Sequence, residues 1–564
     1  MVELSIVIPT RDRPSSLRAC LAALANQQNV TGEIEVVVVD DGSVRNVEPS
    51  LAGWPGGPVR LLHQANAGPG AARNRGAREA RGRVLLFLDD DVVGETELVA
   101  THLAAHRDAD RIVGLGHMTL RPSRAAGPSG RNLREWWESH YQKLVEQPDR
   151  PTFMDAFTGN LSVARDAFDE AGGFAEDLPH SEDVELGYRL HRLGLGFVYL
   201  PRAIGHQEFR KGFPAFVAVA EASGRAAVEL YRRHPAMLPA MPLGGYAQAG
   251  LKERAARRLT FSLPGTRALI RLIEPAIGRS RWRRRWYGFV LRAGYWSGVR
   301  ASVERADWAR LTSGTIVFLY HGFSEDGTAG SRWIVPVGRF AAQIAWLRRH
   351  GFTPLELNEW LRLRATHQLP PARSFVVTID DGYEETQHLA LPILRRAGVA
   401  GAIFLVTGLV GQSNRWDMDP LLAGRPLIGW HEARRMERDG ITFGAHTRTH
   451  RSLTGLNASE LEDEVAGSRS DLKRELGHAV TSFAYPFGDL DPEAVAAVRQ
   501  AGFAAAFGTR PGTCSPADSD LALRRVTVYG TDSLLRFALV VWTGDSRWIR
   551  RLAARRWRDV GPSR

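Results

Sequence analysis

The chain has 564 residues, 44% of them apolar and 24% charged, an ordinary globular composition with room for several cores. Its formal charge of +11, carried far more by arginine than by lysine, suits anionic partners such as nucleotide-sugars or lipid headgroups. Two cysteines, Cys20 and Cys514, exclude a disulfide framework, and the lack of a clean apolar window of about 18 to 20 residues argues against a transmembrane helix.

Strand-like and helical patterns alternate from the start. Leu4–Ile8 is an apolar run and Ser15–Asn26 has helical spacing. Glu35–Val39 reads as a buried strand ending in Asp40-Asp41-Gly42-Ser43. Ala71–Ala80 reads as a helix, and Val84–Leu88 as a strand ending in Asp89-Asp90-Asp91. This rhythm predicts an α/β unit with a mostly parallel sheet, whose ligands bind at the carboxyl ends of strands, where both acidic clusters lie. From about 210 to 310 the pattern turns helical and basic, densest at Arg279–Trp286. A second α/β unit opens at Thr315–Tyr320, and Arg547–Arg564 forms a basic tail with Trp548 and Trp557. The expected division is 1–235, a basic helical extension 236–312, a second domain 313–545 and a tail 546–564. The start of the chain shows no basic n-region or long apolar h-region, so the expected location is cytoplasmic, with the basic segments giving peripheral contact with an anionic membrane at its inner face. No nucleic-acid partner is expected.

Carboxylates two residues apart at a strand end, as Asp89 and Asp91 are, can share a hard cation that grips phosphate oxygens. Asp40 and Asp41 could accept bonds from a ribose or base. Asn66–Asn74 is a glycine loop entering a helix, and its amides together with Arg73 suit a diphosphate. His206 reads as an ordinary histidine rather than a further ligand. In order, Ser5–Arg11 (SIVIPTR), Val38–Ser43 (VVDDGS), Asn66–Asn74, Leu86–Asp91 (LFLDDD), Thr158–Asn160 with Gly172-Gly173-Phe174, and Glu182-Asp183 resemble an inverting family 2 glycosyltransferase of GT-A (Rossmann-like) fold. The resemblance implies Mg²⁺ or Mn²⁺ on Asp89 and Asp91, and Asp183 as the base that deprotonates the acceptor hydroxyl. It implies nucleotide-sugar contacts, with a UDP-sugar expected, from Pro9, Arg11, Asp40, Asp41, Arg73 and Asp90. Glu182 would contact substrate, and the acceptor would be a glycan or a lipid-linked sugar.

In the second unit, Ser374–Ile379 is a β-rich run ending in Asp380-Asp381-Gly382, and His446 and His450 are four residues apart, a spacing that on a helical turn puts both rings on one side. A carboxylate plus two histidines is a three-ligand set for a hydrolytic zinc with one position left for water. Asp381, His446 and His450 supply that count, Asp380 can serve as base, and His321, after the opening strand, as acid. Phe318–Gly322 (FLYHG), Thr378–Gly382 (TIDDG), Gly401–Val406 (GAIFLV), Phe443–His450 (FGAHTRTH) and Phe483–Gly488 (FAYPFG) resemble the polysaccharide deacetylases of carbohydrate esterase family 4, the NodB-homology domain. The implied fold is an irregular (β/α) barrel with fewer strands than eight. Zn²⁺ or a similar divalent ion is implied, with Tyr485 and Pro486 at the substrate. Two positions depart from the family. Ala484 stands where an arginine steadies the base, and Leu523-Arg524-Arg525-Val526 stands near the late Leu-x-x-His motif. The expected function is therefore a glycosyl transferase fused to an N-deacetylase of sugars, in polysaccharide, cell-envelope or glycoconjugate biosynthesis. The alternative is a transferase whose deacetylase domain has lost catalysis and only binds carbohydrate.

Overall fold

The computed structural model describes residues 2–543 except 53–58, 108, 110, 123–126, 149, 210–211, 250–252, 254–273, 275, 277–279 and 326–330. The basic tail 546–564, the Arg279 end of the basic run and much of the extension before it lie outside these. The chain forms two compact units, one drawn from Met1–Arg232 and Leu259–Ser302, the other from Arg233–Arg258 and Val303 onward. Among the described residues no helix is long and apolar enough to cross a membrane.

The first unit is built on an eight-stranded sheet of order β3-β2-β1-β4-β7-β6-β8-β5. The strands are β1 (Val2–Thr10), β2 (Glu33–Asp41), β3 (Val59–Gln64), β4 (Val84–Leu88), β5 (Val92–Gly94), β6 (Ile112–Pro122), β7 (Asn160–Ala164) and β8 (Gly196–Phe209). β3, β2, β1 and β4 run parallel, and β7 is antiparallel to both β4 and β6. Parallel strands covered on both faces read as unbroken apolar runs. Here the period of two sends Ile6, Ile8, Val36, Val38, Leu86 and Leu88 into one core, and Val7, Val37, Val39, Leu85 and Phe87 into the other. The helix Pro69–Glu79 lies close on the second face because Gly76 has no side chain. A Cβ there would stand 2.4 Å from Val7 Cγ1. The parallel register sets Thr10 beside Asp40, so the residues ending β1, β2 and β4 gather at one edge.

In the second unit the sheet order is β17-β16-β15-β14-β13-β9-β18, with β12 added at β13. Its strands are β9 (Thr315–Tyr320), β12 (Thr353–Pro354), β13 (Ser374–Ile379), β14 (Gly401–Leu405), β15 (Thr442–Ala445), β16 (Ser482–Ala484), β17 (Ala505–Phe507) and β18 (Val526–Thr527), while β10 (Gly322–Ser324) and β11 (Ile334–Pro336) pair separately. All these pairs are parallel, and a further parallel bridge joins Phe507 to Leu523, so the sheet curls until its edges meet. The strands are short, and their alternation again divides the core. Phe318, Phe375, Val377 and Ile403 face the surrounding helices, while Val317, Val376, Phe404, Ala484, Phe507 and Leu523 form a smaller cluster with Trp360. Thr378 and Asp380 continue the parity of Val376, and Arg525 that of Leu523, so all three point toward the enclosed side.

Two candidate active sites

At the β1/β2/β4 edge the acidic residues are already engaged by protein groups. Asp41 Oδ1 accepts from Gln64 Nε2 and the Ala67 amide at 2.8 Å each, and its Oδ2 accepts from the Gly68 amide at 2.9 Å. Its carboxylate thereby shapes the glycine loop, in which Gly68 takes φ 94°. Asp40 accepts from the Ser43 amide at 3.0 Å and lies 3.1 Å from His63 Nδ1. Arg11 donates to Asn66 at 2.7 Å, and Pro9 is half-buried opposite Val39.

The three aspartates after β4 are held by two arginines. Arg73, buried, donates to Asp89 at 2.8 Å and to Glu182 at 3.0 Å, while half-exposed Arg13 reaches Asp90 at 3.0 Å and Asp91 at 3.1 Å. Asp90 also accepts from Thr10 Oγ1 at 2.7 Å, and burial pushes its carboxyl up to about 6. Asp89 and Asp91 face a cavity of about 420 Å³ that Arg13, Arg45 and Gln207 also line. An all-oxygen pair opening on such a space fits Mg²⁺ or Mn²⁺, hard cations that fill their remaining positions with water and phosphate oxygens. Asp183 sits in the first turn of the helix Glu182–Arg192, entered through Ser181 at φ 62°. Burial, and then the neighbouring Glu182 charge, push its carboxyl up to about 7. His206 has both ring nitrogens occupied, by Thr119 Oγ1 at 2.5 Å and Glu95 at 3.0 Å.

In the second unit Asp381, His446 and His450 converge as buried neighbours after β13 and β15. Asp381 Oδ1 lies 3.5 Å from His446 Nε2 and 3.3 Å from His450 Nε2. Donor atoms about 2.0–2.1 Å from a zinc at tetrahedral angles stand roughly 3.3–3.4 Å apart, so the spacing fits that ion. Asp381 Oδ1 is also buried without a hydrogen-bond partner. His446 Nδ1 pairs with the Ala484 carbonyl at 2.7 Å, an arrangement that leaves Nε2 as the ligand nitrogen. The two histidines are not on a helical turn. Their segment is a loop in which Thr447 and His450 both take φ 63°, a left-handed conformation costly for side-chain-bearing residues. Glu464, buried on a π-helical turn (Asp463–Gly467), holds the loop by accepting from the Arg448 and Thr449 amides at 2.9 Å each and from the Thr449 hydroxyl.

Asp380 is gripped by Arg525, which donates from both terminal nitrogens at 2.7 and 2.8 Å and from Nε to the Gly508 carbonyl at 3.0 Å. Burial opposes the charge on Asp380, but Arg525 and His446 hold its carboxyl below the usual range. The arginine missing at Ala484 is thus supplied from the approach to β18. Strand alternation from Leu523 carries the signal for it, although nothing local names its partner. His321 packs against Trp333 with ring centroids 4.7 Å apart and the planes tilted at 58°, its Nδ1 buried and without a hydrogen-bond partner. Burial pushes its imidazole down. Tyr485, expected at the substrate, is instead fully buried, its amide donating to Phe507 and its hydroxyl to Leu521 at 3.0 Å each, and Pro486 is buried beside it. The exposed aromatic of that motif is Phe487, 60% accessible and edge-on to His450 at 4.8 Å, with Trp416 stacked on the same ring at 4.5 Å. Sequence reading missed Phe487 and Glu464.

Residues 5–172 match the family model for glycosyl transferase family 2, and residues 367–506 that for polysaccharide deacetylase. Validoxylamine A glucosyltransferase of Streptomyces hygroscopicus subsp. jinggangensis is 33% identical over 226 residues, covering 34% of this chain and 52% of the relative. The chain thus spans about half the length of that glucosyltransferase. The poly-β-1,6-N-acetyl-D-glucosamine N-deacetylase of Staphylococcus aureus (strain MRSA252) is 25% identical over 219 residues, 37% of this chain and 72% of the relative. Among solved structures, a mannosyltransferase of Pyrobaculum calidifontis in complex with GDP-Man and Mn²⁺ aligns at 18% identity and TM-score 0.36, covering 53% of this chain and 88% of that one. One polypeptide therefore joins a segment resembling family 2 glycosyltransferases to a segment resembling polysaccharide deacetylases.

Proposed function

We propose that the chain is a bifunctional carbohydrate enzyme. Its first unit transfers a sugar from a nucleotide donor to a glycan or lipid-linked acceptor, and its second removes an N-acetyl group from a sugar. The observation that carries the reading is the buried Asp381–His446–His450 set beside an Asp380 clamped by Arg525.

In the second unit Asp381, His446 and His450 would hold Zn²⁺ or a similar divalent ion, which when bound polarises the acetyl carbonyl and acidifies water. Asp380, kept ionised and aimed by Arg525, takes the proton of the attacking water. His321 is our candidate to give a proton to the leaving amine, releasing acetate. Phe487 and Trp416 wall the entrance with apolar ring faces that suit a sugar. Arg525 also speaks against the alternative of a catalytically lost carbohydrate-binding module, because the missing arginine was part of its ground.

In the first unit Asp89 and Asp91 would hold Mg²⁺ or Mn²⁺, whose charge when bound offsets that of the donor diphosphate. Arg13, now paired with Asp90 and Asp91, lines the same cavity and would supply positive charge to that diphosphate. Asp183 accepts the proton of the acceptor hydroxyl as its oxygen bonds to the anomeric carbon and the nucleoside diphosphate leaves, which inverts that centre. The expected donor is a UDP-sugar, and a cytoplasmic location follows from it.

Purified protein assayed for nucleoside diphosphate release across a nucleotide-sugar panel with Mn²⁺, and for acetate release with Zn²⁺, tests both halves. Asp91→Ala should abolish the first release and leave the second, and His450→Ala should do the reverse. Metal-independent activity in either variant overturns the corresponding assignment. Glu464→Gln, which weakens the clamp on the His446–His450 loop, is expected to lower zinc affinity by roughly 10- to 100-fold, as outer-shell changes do. Chelator competition measures this, and an unchanged zinc constant would leave Glu464 with a folding role alone.

A further inference from the structure

The helix Leu534–Thr543 buries one face and leaves another substantially exposed. Phe537, Val540 and Val541 face the core, with the Phe537 ring 5.3 Å from that of Phe318. Leu535, Leu539 and Trp542 recur at i, i+4 and i+7, so they line one side over successive turns. They are 73%, 40% and 53% exposed. A single exposed leucine needs no explanation, whereas an apolar stripe along a helix marks a contact surface.

The sequence beyond Thr543 indicates the kind of contact. Residues 544–564 carry seven arginines against two aspartates, with Trp548 and Trp557 among them. An apolar stripe continuing into an arginine–tryptophan run matches the two layers of a bilayer surface, acyl chains for the stripe and phosphates for the guanidinium groups. A second copy of the same surface would bring two strongly cationic runs together, and their repulsion works against self-association. We propose that this helix docks the protein on an anionic phospholipid bilayer. The docking is independent of either catalytic assignment.

The direction of the helix gives the docking a consequence. It starts beyond β18, at the strand ends that carry the metal-site residues, and runs back until Trp542 meets Phe352 at 6.2 Å and Arg373 at 5.3 Å, next to the starts of β12 and β13. An interfacial helix lies in the membrane plane. With this one so placed, the Asp381–His446–His450 mouth opens sideways along the surface, within reach of a sugar tethered to lipid.

The test is sedimentation of the full chain with sucrose-loaded vesicles of phosphatidylglycerol and phosphatidylcholine, against vesicles of phosphatidylcholine alone. At least tenfold tighter binding to the anionic vesicles is expected, with at least a tenfold loss in Leu535→Glu/Leu539→Glu at an unchanged melting midpoint. A second measurement covers the case in which that variant is unstable. An environment-sensitive dye on Leu535→Cys, selective because Cys20 and Cys514 are buried, should blue-shift on anionic vesicles only. Absence of binding by the parent, equal binding by the double variant, an unshifted dye, or a dimer in light scattering that the double variant abolishes would each overturn the proposal.

Discussion

Arg525→Met is expected to keep its zinc and lose most of its acetate release. Arg525 and Asp380 form a bidentate pair at 2.7 and 2.8 Å, and both residues are buried. Removing the cation strands a carboxylate in the core, a change that costs about 3–5 kcal/mol when a buried pair is broken. The protein can relieve that cost by protonating Asp380, which then no longer serves as base, or by letting it swing out of line. General bases contribute roughly 10²- to 10⁴-fold to rate, and a fall in kcat of that order is expected. The two histidine ligands are positioned by contacts that do not involve Arg525, His446 by the Ala484 carbonyl and the His450 loop by Glu464, so bound zinc should stay near one equivalent. Zinc content, melting midpoint and acetate kinetics on one preparation separate the cases. Normal kcat with a lowered midpoint would make Arg525 a stabilising residue only.

Asp183→Asn should lower glycosyl transfer by a comparable factor while donor binding persists, because the contacts that hold Asp89, Asp90 and Asp91 run through Arg73 and Arg13 rather than through Asp183. The pH profile is the sharper readout. A base whose carboxyl sits near 7 is mostly protonated below that pH, so transfer in the parent should rise as pH climbs through about 7 and level off above it. That limb should vanish from the residual activity of the variant. Stability gives a control of opposite sign. A carboxyl raised from 3.8 in the unfolded chain to about 7 in the fold contributes stability fully below pH 3.8, and that contribution is lost as pH passes 7. At pH 8 the asparagine variant should therefore melt no lower than the parent. A parent profile flat from pH 5.5 to 8.5 would remove Asp183 from the role of base.

Much of the architecture was legible in the chain because parallel strands buried on both faces are unbroken apolar runs, and the residues after such a run lie at a strand end. That is why Asp40 and Asp41, Asp89 to Asp91, and Asp380 and Asp381 could be placed from the chain alone. The same local reading misjudged the His446–His450 loop. A spacing of four suggests a helical turn, but the rings converge through left-handed residues at Thr447 and His450, a geometry held by Glu464 across the loop. Nor did it tell which ring of the Phe483–Gly488 motif faces outward: Tyr485 is buried and Phe487 exposed.

What the sequence by itself determined is the alternation of elements, the residue types at each strand end and the two chemistries those types permit. The tertiary structure alone decided the partners. Arg525 reaches Asp380 across 145 residues because the curled sheet brings β18 beside β9, whose other neighbour is β13, and Arg73 links Asp89 to Glu182, 109 residues beyond the arginine. Periodicities of two and 3.6 residues govern which way a side chain points from its own element. Which charge it meets depends on how distant elements close on one another, and no local pattern encodes that.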